Sequence, residues 1–180
     1  GFAEMLKHGL ITDKALWNNL ILTSGKLKEL VPFIKPCVEI KYELVAEDFK
    51  ESGSRKKLNF GHSIGHGIES FYLDKKWEIT HGEAVAWGMI LEGYIAVAKD
   101  KLGQDEFETL RKGILKFYEF PEKNKLDVEK IMGFIKNDKK NSNNQIKMVL
   151  LNEIGTAIID VDVAEADIMK AFESAYLTNS

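Results

Sequence analysis

Two histidines stand four residues apart in the segment 55–69, which also carries an arginine and an asparagine ahead of them. Positions three and four residues apart are neighbours on a helix, so the spacing predicts one helical face with Arg55, Asn59, His62 and His66. Guanidinium, amide and imidazole groups together suit an anion, a metal ion or both. The alternative is a helix whose polar face is simply solvated.

Three glycines lie in the same segment, at positions 61, 65 and 67. Each glycine costs a helix interior about 1 kcal/mol relative to alanine, which indicates that something approaches this backbone closely. We interpret the thinned surface as room for a ligand. Close contact with another helix is the alternative.

The pair His62 and His66 has the spacing found in zinc peptidases, but a serine at position 63 replaces the glutamate that such enzymes use as a base. Spacing alone would let both histidines bind one metal ion. A third candidate is His81, inside the capping-box pattern Thr80-His-Gly-Glu83, which predicts the start of a helix. The helix dipole opposes a positive charge at that first turn, and a neutral imidazole is a good metal ligand. The alternative for His81 is an exposed position beside a loop.

A catalytic zinc ion commonly has two histidine ligands and one carboxylate, and it keeps one position open. Spacing does not choose among five carboxylates, which are Glu4, Asp48, Glu51, Glu69 and Glu83. We expect the capping box to occupy the last of these. Glu69 lies seven residues after His62, on a similar helical face, and stays a candidate.

The remaining charged residues have ordinary explanations. Lys7 follows Glu4 by three residues, and such a pair contributes little on a surface. We expect Lys41 and the run Asp138-Lys139-Lys140 to be solvated. His8 stands at the predicted end of the first helix, where an interaction with the helix dipole suffices for it. The sequence contains neither a glycine-rich phosphate loop nor a nucleophile elbow.

Composition indicates one globular domain. The chain has 180 residues, 44% of them apolar, and a net charge of −3 that gives no reason to expect nucleic acid as a partner. No apolar run reaches the roughly 18 residues that span a bilayer, so we expect no membrane partner. The single cysteine, Cys37, excludes an internal disulfide and is predicted to lie in the core; a reducing cytoplasm is the default location. The chain begins at Gly1 without a methionine, and we expect it to be a fragment.

The periodicity of apolar residues and the positions of glycine, proline and capping residues predict a mainly α, multihelical domain with one small β-hairpin. Helices are predicted over 2–10, from Thr12 or Asp13 onward, 36–46, 55–73, 84–101, 105–118, 127–136 and from about 162 to 176. Lys26 to Leu30 are expected to form only a short turn before Pro32. The segments 146–151 and 156–161 are predicted strands, joined by a turn around Gly155.

Four phrases, in this order, resemble the 3-dehydroquinate synthase family. They are Gly1-Phe-Ala-Glu4-Met-Leu-Lys7, Arg55-x-x-Leu-Asn59-Phe-Gly-His62-Ser-Ile-Gly-His66-Gly-Ile-Glu69, His81-Gly-Glu-Ala-Val and Asp138-Lys139-Lys140 before Ile154-Gly155. The match corresponds to the family's C-terminal, metal-binding domain. The resemblance therefore implies that residues 1–180 form this single helical domain and that the N-terminal NAD-binding domain is absent from the chain.

The resemblance also implies a role for each matched residue. Glu4, His62 and His81 would bind Zn2+ (or Co2+), and His66 would be a substrate-binding and proton-relay residue rather than a ligand. The implied substrate-binding residues are Lys7, Lys41, Arg55, Asn59, His66 and one lysine of the pair 139–140, expected to be Lys140; the first five would also be catalytic. Glu51 and Asp48 match acidic positions of the loop before Arg55. Ser54 departs from the apolar residue expected there and puts the loop's contacts in doubt.

The family's reaction converts 3-deoxy-arabino-heptulosonate 7-phosphate to 3-dehydroquinate and phosphate, in the shikimate pathway. NAD+ transiently oxidises a hydroxyl, phosphate is eliminated, the ketone is reduced, and an aldol step closes the ring. A substrate with a carboxylate and a phosphate suits the cationic side chains. The resemblance implies a cytoplasmic enzyme, a homodimer at full length, and an isolated fragment that does not turn over.

Three alternatives stay open beside this interpretation. Other sugar-phosphate cyclases, such as 2-deoxy-scyllo-inosose or valiolone-type synthases, resemble the same domain. A metal-dependent glycerol or alcohol dehydrogenase of the wider superfamily would have a different set of metal ligands. A non-enzymatic interaction module would require the matched polar residues to be incidental.

Overall fold

The computed structural model describes residues 1–138 and 145–177. This part of the chain forms eight α-helices and one two-stranded antiparallel hairpin, so the predicted fold class is confirmed. The elements are α1 (Phe2–Thr12), α2 (Lys14–Leu22), α3 (Leu27–Glu47), α4 (His62–Asp74), α5 (His81–Ala98), α6 (Gln104–Leu115), α7 (Val128–Asp138), β1 (Gln145–Glu153), β2 (Thr156–Ala164) and α8 (Glu165–Leu177). Short 3-10 turns occupy Ser54–Asn59 and Lys123–Lys125.

The apolar helix α5 is the centre of the molecule. Its side chains are buried from Ala84 to Gly93 and it contacts α1, α4, α6, α8 and β1. A helix that is apolar on all sides is expected to be enclosed in this way. The predicted capping box is present: the Thr80 side chain accepts a hydrogen bond from the Glu83 backbone N–H, and the Glu83 carboxylate accepts one from the Thr80 N–H. The helix therefore begins at His81, which places this residue in its first turn.

Glycines let α4 and α5 approach until their backbones touch. A Cβ atom on Gly88 would lie 2.0 Å from the carbonyl oxygen of Gly61, and one on Gly65 would lie 2.9 Å from the carbonyl oxygen of Ala84. Gly67 faces α7, where an added Cβ atom would lie 2.5 Å from a side-chain carbon of Ile135. The interpretation of these glycines as room for a ligand was therefore wrong, and close helix packing is their role.

The prediction of one helix over 55–73 is wrong, because the α-helix begins only at His62. Ser54–Asn59 form a 3-10 turn, and Gly61 adopts a left-handed conformation with φ of +78°. Only glycine adopts that conformation without strain. Arg55 and Asn59 consequently do not share one helical face with His62.

Other differences concern helix ends. The helix α1 continues past Gly9 to Thr12, because this glycine serves a close contact: a Cβ atom there would lie 2.7 Å from the backbone nitrogen of Trp17. The helix α3 runs through Pro32 and Pro36 instead of beginning at the second one. Most of α3 is exposed, so water can bond to the carbonyl groups that lose a donor to proline.

The predicted hairpin and the core position of Cys37 are confirmed. Strands β1 and β2 pair antiparallel and are longer than predicted, with Gly155 in the connecting turn at φ of +99°. Cys37 is buried and forms no disulfide. Among the described helices, none is long and apolar enough to cross a bilayer.

Candidate metal centre

Three side chains from three helices converge at one point. Glu4 comes from the first turn of α1, while His62 and His81 are the first residues of α4 and α5. The Glu4 Oε1 atom lies 3.5 Å from His62 Nε2 and 4.0 Å from His81 Nε2. One donor atom from each residue can be chosen so that all three lie within 4.8 Å of one another.

The hydrogen bonds around His62 leave a lone pair directed at the carboxylate. His62 Nδ1 lies 3.2 Å from the backbone carbonyl oxygen of Phe60, which can only accept, so this nitrogen carries the proton. Burial and the nearby charge of Lys7 lower the pKa of His62 to about 4, although Glu4 and the Phe60 hydrogen bond oppose the change. The imidazole is then neutral at pH 7, and its Nε2 atom faces Glu4 Oε1 without a proton between them.

The same carboxylate oxygen lacks a donor. Glu4 Oε1 is buried and accepts no hydrogen bond from any residue that the structure describes. A buried acceptor without a partner costs about 1–3 kcal/mol, and a cation would remove that cost. Ligands of a tetrahedral zinc ion at about 2.1 Å are separated by about 3.4 Å, close to the separations that Glu4 Oε1 makes here. The three residues therefore fit a zinc-like ion that keeps at least one position for substrate or water.

Lys7 orients the other oxygen of Glu4. Its ammonium group donates to Glu4 Oε2 at 2.7 Å and to the backbone carbonyl of Leu58 at 2.6 Å. Burial lowers the pKa of Lys7 in spite of the carboxylate, because the lysine side chain is only 2% exposed. Burial alone would raise the pKa of Glu4, but the charge and hydrogen bond of Lys7 outweigh it and lower the pKa. The lysine of this pair is thus buried, so the low contribution expected of a surface pair does not apply.

Glu92 holds the first turn of α4 in place, and sequence reasoning missed it. Its carboxylate is fully buried and accepts hydrogen bonds from the backbone N–H groups of Gly61, at 2.6 Å, and Ile64, at 3.2 Å. A carboxylate at a helix N-terminus satisfies free N–H groups and the helix dipole. A lone carboxylate in the otherwise apolar segment of α5 was the available signal.

Arg55 and Asn59 lie beside the loop that precedes α4. The Arg55 guanidinium donates to the Phe49 carbonyl at 2.9 Å and lies 3.7 Å from Glu51, while the Asn59 amide donates to Glu51 at 2.7 Å. Asp48 accepts from the backbone N–H groups of Gly53, at 2.6 Å, and Arg55, at 3.2 Å, so it shapes this loop directly. Ser54 donates to Glu47 at 2.9 Å, which suits a polar residue at that position.

The other predicted site residues are dispersed around this centre. The His66 ring lies one turn after His62, with ring centroids 5.2 Å apart, and 6.0 Å from the His81 ring. Lys41, on the exposed side of α3, borders a groove that also contains His8. Lys139 and Lys140 lie outside the described residues.

His8 does not interact with a helix dipole as expected. It is buried ahead of the last turn of α1, and neither ring nitrogen has a hydrogen-bond partner in the part of the chain that the structure describes. Burial and the charges of Lys7 and Lys41 lower its pKa to about 4, with Glu4 opposing. The ring is therefore neutral at pH 7, and a dipole interaction would need the imidazolium.

The pKa of His8 predicts a loss of stability in acid. The pKa of a histidine in the unfolded chain is near 6.5. The contribution of His8 to the free energy of unfolding is therefore complete above that pH and decreases as the pH falls toward about 4. When the pH is lowered from about 7.5 to about 4.5, the free energy of unfolding should decrease in both proteins. The decrease should be about 2–3 kcal/mol smaller in His8→Leu than in the parent chain. Urea unfolding of the metal-free proteins at both pH values measures the difference, and equal losses in both would contradict it.

Comparison with known proteins identifies the family of this chain. The sequence profile of the family described as 3-dehydroquinate synthase C-terminal matches residues 1–141. The 3-dehydroquinate synthase of Listeria monocytogenes serotype 4a is 40% identical over 166 residues, which cover 88% of this chain and 44% of that protein. The one from Prochlorococcus marinus strain MIT 9312 is 36% identical over 180 residues, 96% of this chain and 49% of that protein. The chain thus spans about half the length of these curated relatives.

Two solved structures share the fold. A 2-deoxy-scyllo-inosose synthase complexed with carbaglucose-6-phosphate, NAD+ and Co2+ has a TM-score of 0.77 at 23% identity, over 97% of this chain and 50% of that one. A 2-epi-5-epi-valiolone synthase from Streptomyces hygroscopicus subsp. jinggangensis with NAD+ and Zn2+ bound has a TM-score of 0.78 at 21% identity, over 98% and 50%. These identities establish likeness of fold alone. The profile match over most of the sequence shows that the chain belongs to the 3-dehydroquinate synthase family, as its C-terminal portion.

Proposed function

We propose that this chain is the metal- and substrate-binding half of an enzyme that converts 3-deoxy-arabino-heptulosonate 7-phosphate to 3-dehydroquinate and phosphate. The observation that carries the proposal is the convergence of Glu4, His62 and His81 around a buried acceptor that lacks a donor. Membership of the family supports the same reaction. Zn2+ or Co2+, held by these three residues, would act as a Lewis acid on a substrate hydroxyl.

The surrounding residues have separate tasks in this proposal. Lys7 holds Glu4 in orientation through its 2.7 Å ion pair. Arg55 and Asn59 both contact Glu51, so an anionic group of the substrate would compete with that carboxylate for their donors. His66 lies beside the ring of His62 and would relay a proton. Lys41 and Lys140 complete the proposed cationic set.

We further propose that NAD+ is bound by a second, nucleotide-binding half of the working enzyme. The relatives are about twice as long as this chain, which supports a second half. The helix α3 also has an exposed apolar stripe, formed by Leu27, Val31, Ile34, Val38 and Tyr42. Large exposed apolar surfaces mark protein contacts, and we assign this stripe to the nucleotide-binding half. Homodimerisation of the whole enzyme and a cytoplasmic location, with which the free thiol Cys37 agrees, belong to the same proposal.

Ligand binding to the zinc-loaded chain tests the substrate class. Calorimetric titration with 3-deoxy-arabino-heptulosonate 7-phosphate should show binding, while carbaglucose-6-phosphate should bind at least about 10-fold more weakly. The second compound lacks the carboxylate, so it forfeits a charge-assisted contact of about 1.5–3 kcal/mol. Equal or tighter binding of carbaglucose-6-phosphate would favour another sugar-phosphate cyclase instead.

Variants localise the bound ligand. Arg55→Ala and Asn59→Ala should each weaken binding of the heptulosonate phosphate about 10-fold or more, because each removes a donor to an anion. Lys112→Ala, on α6, removes a surface charge from another part of the fold and is the control. With NAD+ added, the chain alone should give no turnover, and measurable turnover would contradict the need for a second half.

A further inference from the structure

Glu69 contacts the ring nitrogen of His81 that points away from the candidate metal centre. Its Oε2 atom lies 3.3 Å from His81 Nδ1, while His81 Nε2 lies 4.0 Å from Glu4 Oε1. The imidazole of His81 thus stands between two carboxylates, with one nitrogen directed at each. Glu69 is seven residues after His62 on α4, so one helix supplies both a candidate ligand and this second carboxylate.

We propose that Glu69 is a positioning residue, which fixes His81 with its proton on Nδ1 and its lone pair on Nε2, directed at the metal. A carboxylate can only accept, so contact with Glu69 selects the tautomer that has the hydrogen on Nδ1. Histidines that bind metals commonly donate their other N–H group to a carboxylate, which orients the ring and raises its basicity. The proposal rests on the proposed metal site, but the tautomer itself can be observed without metal.

His81 needs such a partner more than His62 does. The His62 ring is fixed by the Phe60 carbonyl and its side chain is only 15% exposed, whereas the His81 side chain is 46% exposed. An exposed imidazole at the first position of a helix can rotate about its side-chain bonds and exchange tautomers. The contact with Glu69, itself 27% exposed, limits both.

The backbone contact between α4 and α5 sets the distance between the two residues. The Thr80–Glu83 capping box fixes where α5 begins, and therefore where His81 projects. The touching backbones at Gly61, Gly65 and Gly88 fix α4 against it. Because both helices are held rigidly, a carboxylate at position 69 can orient a ring on its neighbour with little loss of side-chain freedom.

A second set of side chains could bind a metal ion in a different way. His66, Glu69 and His81 also form a set whose donor atoms lie within 4.8 Å of one another. If a metal ion used that set, Glu69 would be a ligand and not a positioning residue. A single ion in either set gives one ion per chain, so the two arrangements differ in the effect of replacing Glu69, and only occupation of both sets would raise the stoichiometry to two.

Tautomer measurement on the metal-free chain is the first test. With four histidines in the sequence, long-range 1H–15N NMR spectra at about pH 8, where an unperturbed imidazole is neutral, resolve each ring. We expect His81 to carry its proton on Nδ1 in the parent chain and to shift toward the Nε2–H tautomer in Glu69→Ala. An Nε2–H tautomer in the parent chain, or no shift in the variant, would overturn the proposal whether or not the chain binds zinc.

Metal binding is the second test. Glu69→Ala should weaken zinc binding about 10- to 100-fold in chelator competition, without changing a stoichiometry of one ion per chain. Glu69→Gln keeps an acceptor oxygen and should recover part of the loss. Glu78→Ala removes an equal charge three residues from His81 and is the matched control, since Glu78 is exposed.

The outcomes separate the alternatives. Equal zinc affinity in Glu69→Ala and Glu78→Ala would exclude a positioning role. A parent chain with two ions, of which Glu69→Ala loses one, would make Glu69 a ligand. If the parent chain binds no metal, the proposed function fails, while the tautomer measurement still decides the role of Glu69.

Discussion

Replacement of His62 by alanine should abolish stoichiometric zinc binding, and Glu4→Ala should have the same effect. Structural zinc sites with four protein ligands have binding free energies of about 10–16 kcal/mol, which is about 2.5–4 kcal/mol for each ligand. Loss of one ligand from a three-residue set should therefore weaken binding more than about 100-fold. In Glu4→Ala the buried Lys7 also loses its ion-pair partner, so that variant should lose stability as well.

Elemental analysis after dialysis against a weak chelator measures the stoichiometry, and competition with a chromophoric chelator measures the affinity. His66→Ala is the matched control, because this histidine lies on the same helix, with its ring centroid 5.2 Å from that of His62. We expect it to keep the metal with an affinity within about threefold of the parent chain. Zinc should also raise the melting temperature of the parent chain and of His66→Ala, since a ligand stabilises the state that binds it. Unchanged zinc content in both His62→Ala and Glu4→Ala would reject the assigned ligands.

Gly88→Ala should strongly destabilise the chain. The added Cβ atom would lie 2.0 Å from the Gly61 carbonyl oxygen and 2.9 Å from the Gly65 backbone nitrogen. Both are backbone atoms and cannot rotate away, so α4 must move off α5. Overpacking of this kind costs about 1–3 kcal/mol or more; we expect about 3 kcal/mol, a decrease in melting temperature of about 10 °C for a chain of this length. The shift also separates His62 from His81, so zinc affinity should decrease too.

Gly133→Ala provides the matched comparison. Gly133 is exposed within α7, and apart from its chain neighbours and the adjacent backbone of its own helix no described atom lies within 4 Å of an added Cβ atom. The same change should therefore be neutral or stabilise the chain by up to about 1 kcal/mol, through helix propensity alone. Urea unfolding and thermal melting of both variants measure the contrast. If Gly88→Ala were as stable as Gly133→Ala, the close approach of α4 and α5 would not hold in solution.

Local signals in the sequence predicted most of the elements, and their failures have specific causes. The capping box at Thr80 and the turn at Gly155 involve neighbours in sequence, so both were predictable and both are confirmed. Pro36 was interpreted as a helix start, whereas Pro32 and Pro36 both lie inside α3, where exposure of the helix lets water replace the lost donor. Glycine adopts either sign of φ, so its identity at position 61 does not predict a left-handed conformation. The start of α4 at His62 was therefore not predicted.

The residues of the candidate site also differ in how far the sequence predicted them. His62 and His81 could be selected as metal candidates from their own segments, but five carboxylates were equivalent by spacing. Only the resemblance to a family selected Glu4 among them, because a residue far away in sequence is brought to His62 by tertiary packing, here of α1 against α5 and against the 3-10 turn that precedes α4. The burial of Lys7, His8 and Glu92 had no local signal beyond the apolar residues around them.

The sequence by itself determined the helical class, the hairpin and the motifs that resemble a family. It also determined which residue types can bind a metal ion and an anion. These properties depend on periodicity, capping and chemical identity, which act over a few residues. Tertiary structure alone decided that the glycines of segment 61–67 face other helices, that Glu69 contacts His81, and that Glu4 Oε1 is buried without a donor. Each of these depends on how helices distant in sequence pack together, and burial then decides which polar atom still lacks a partner.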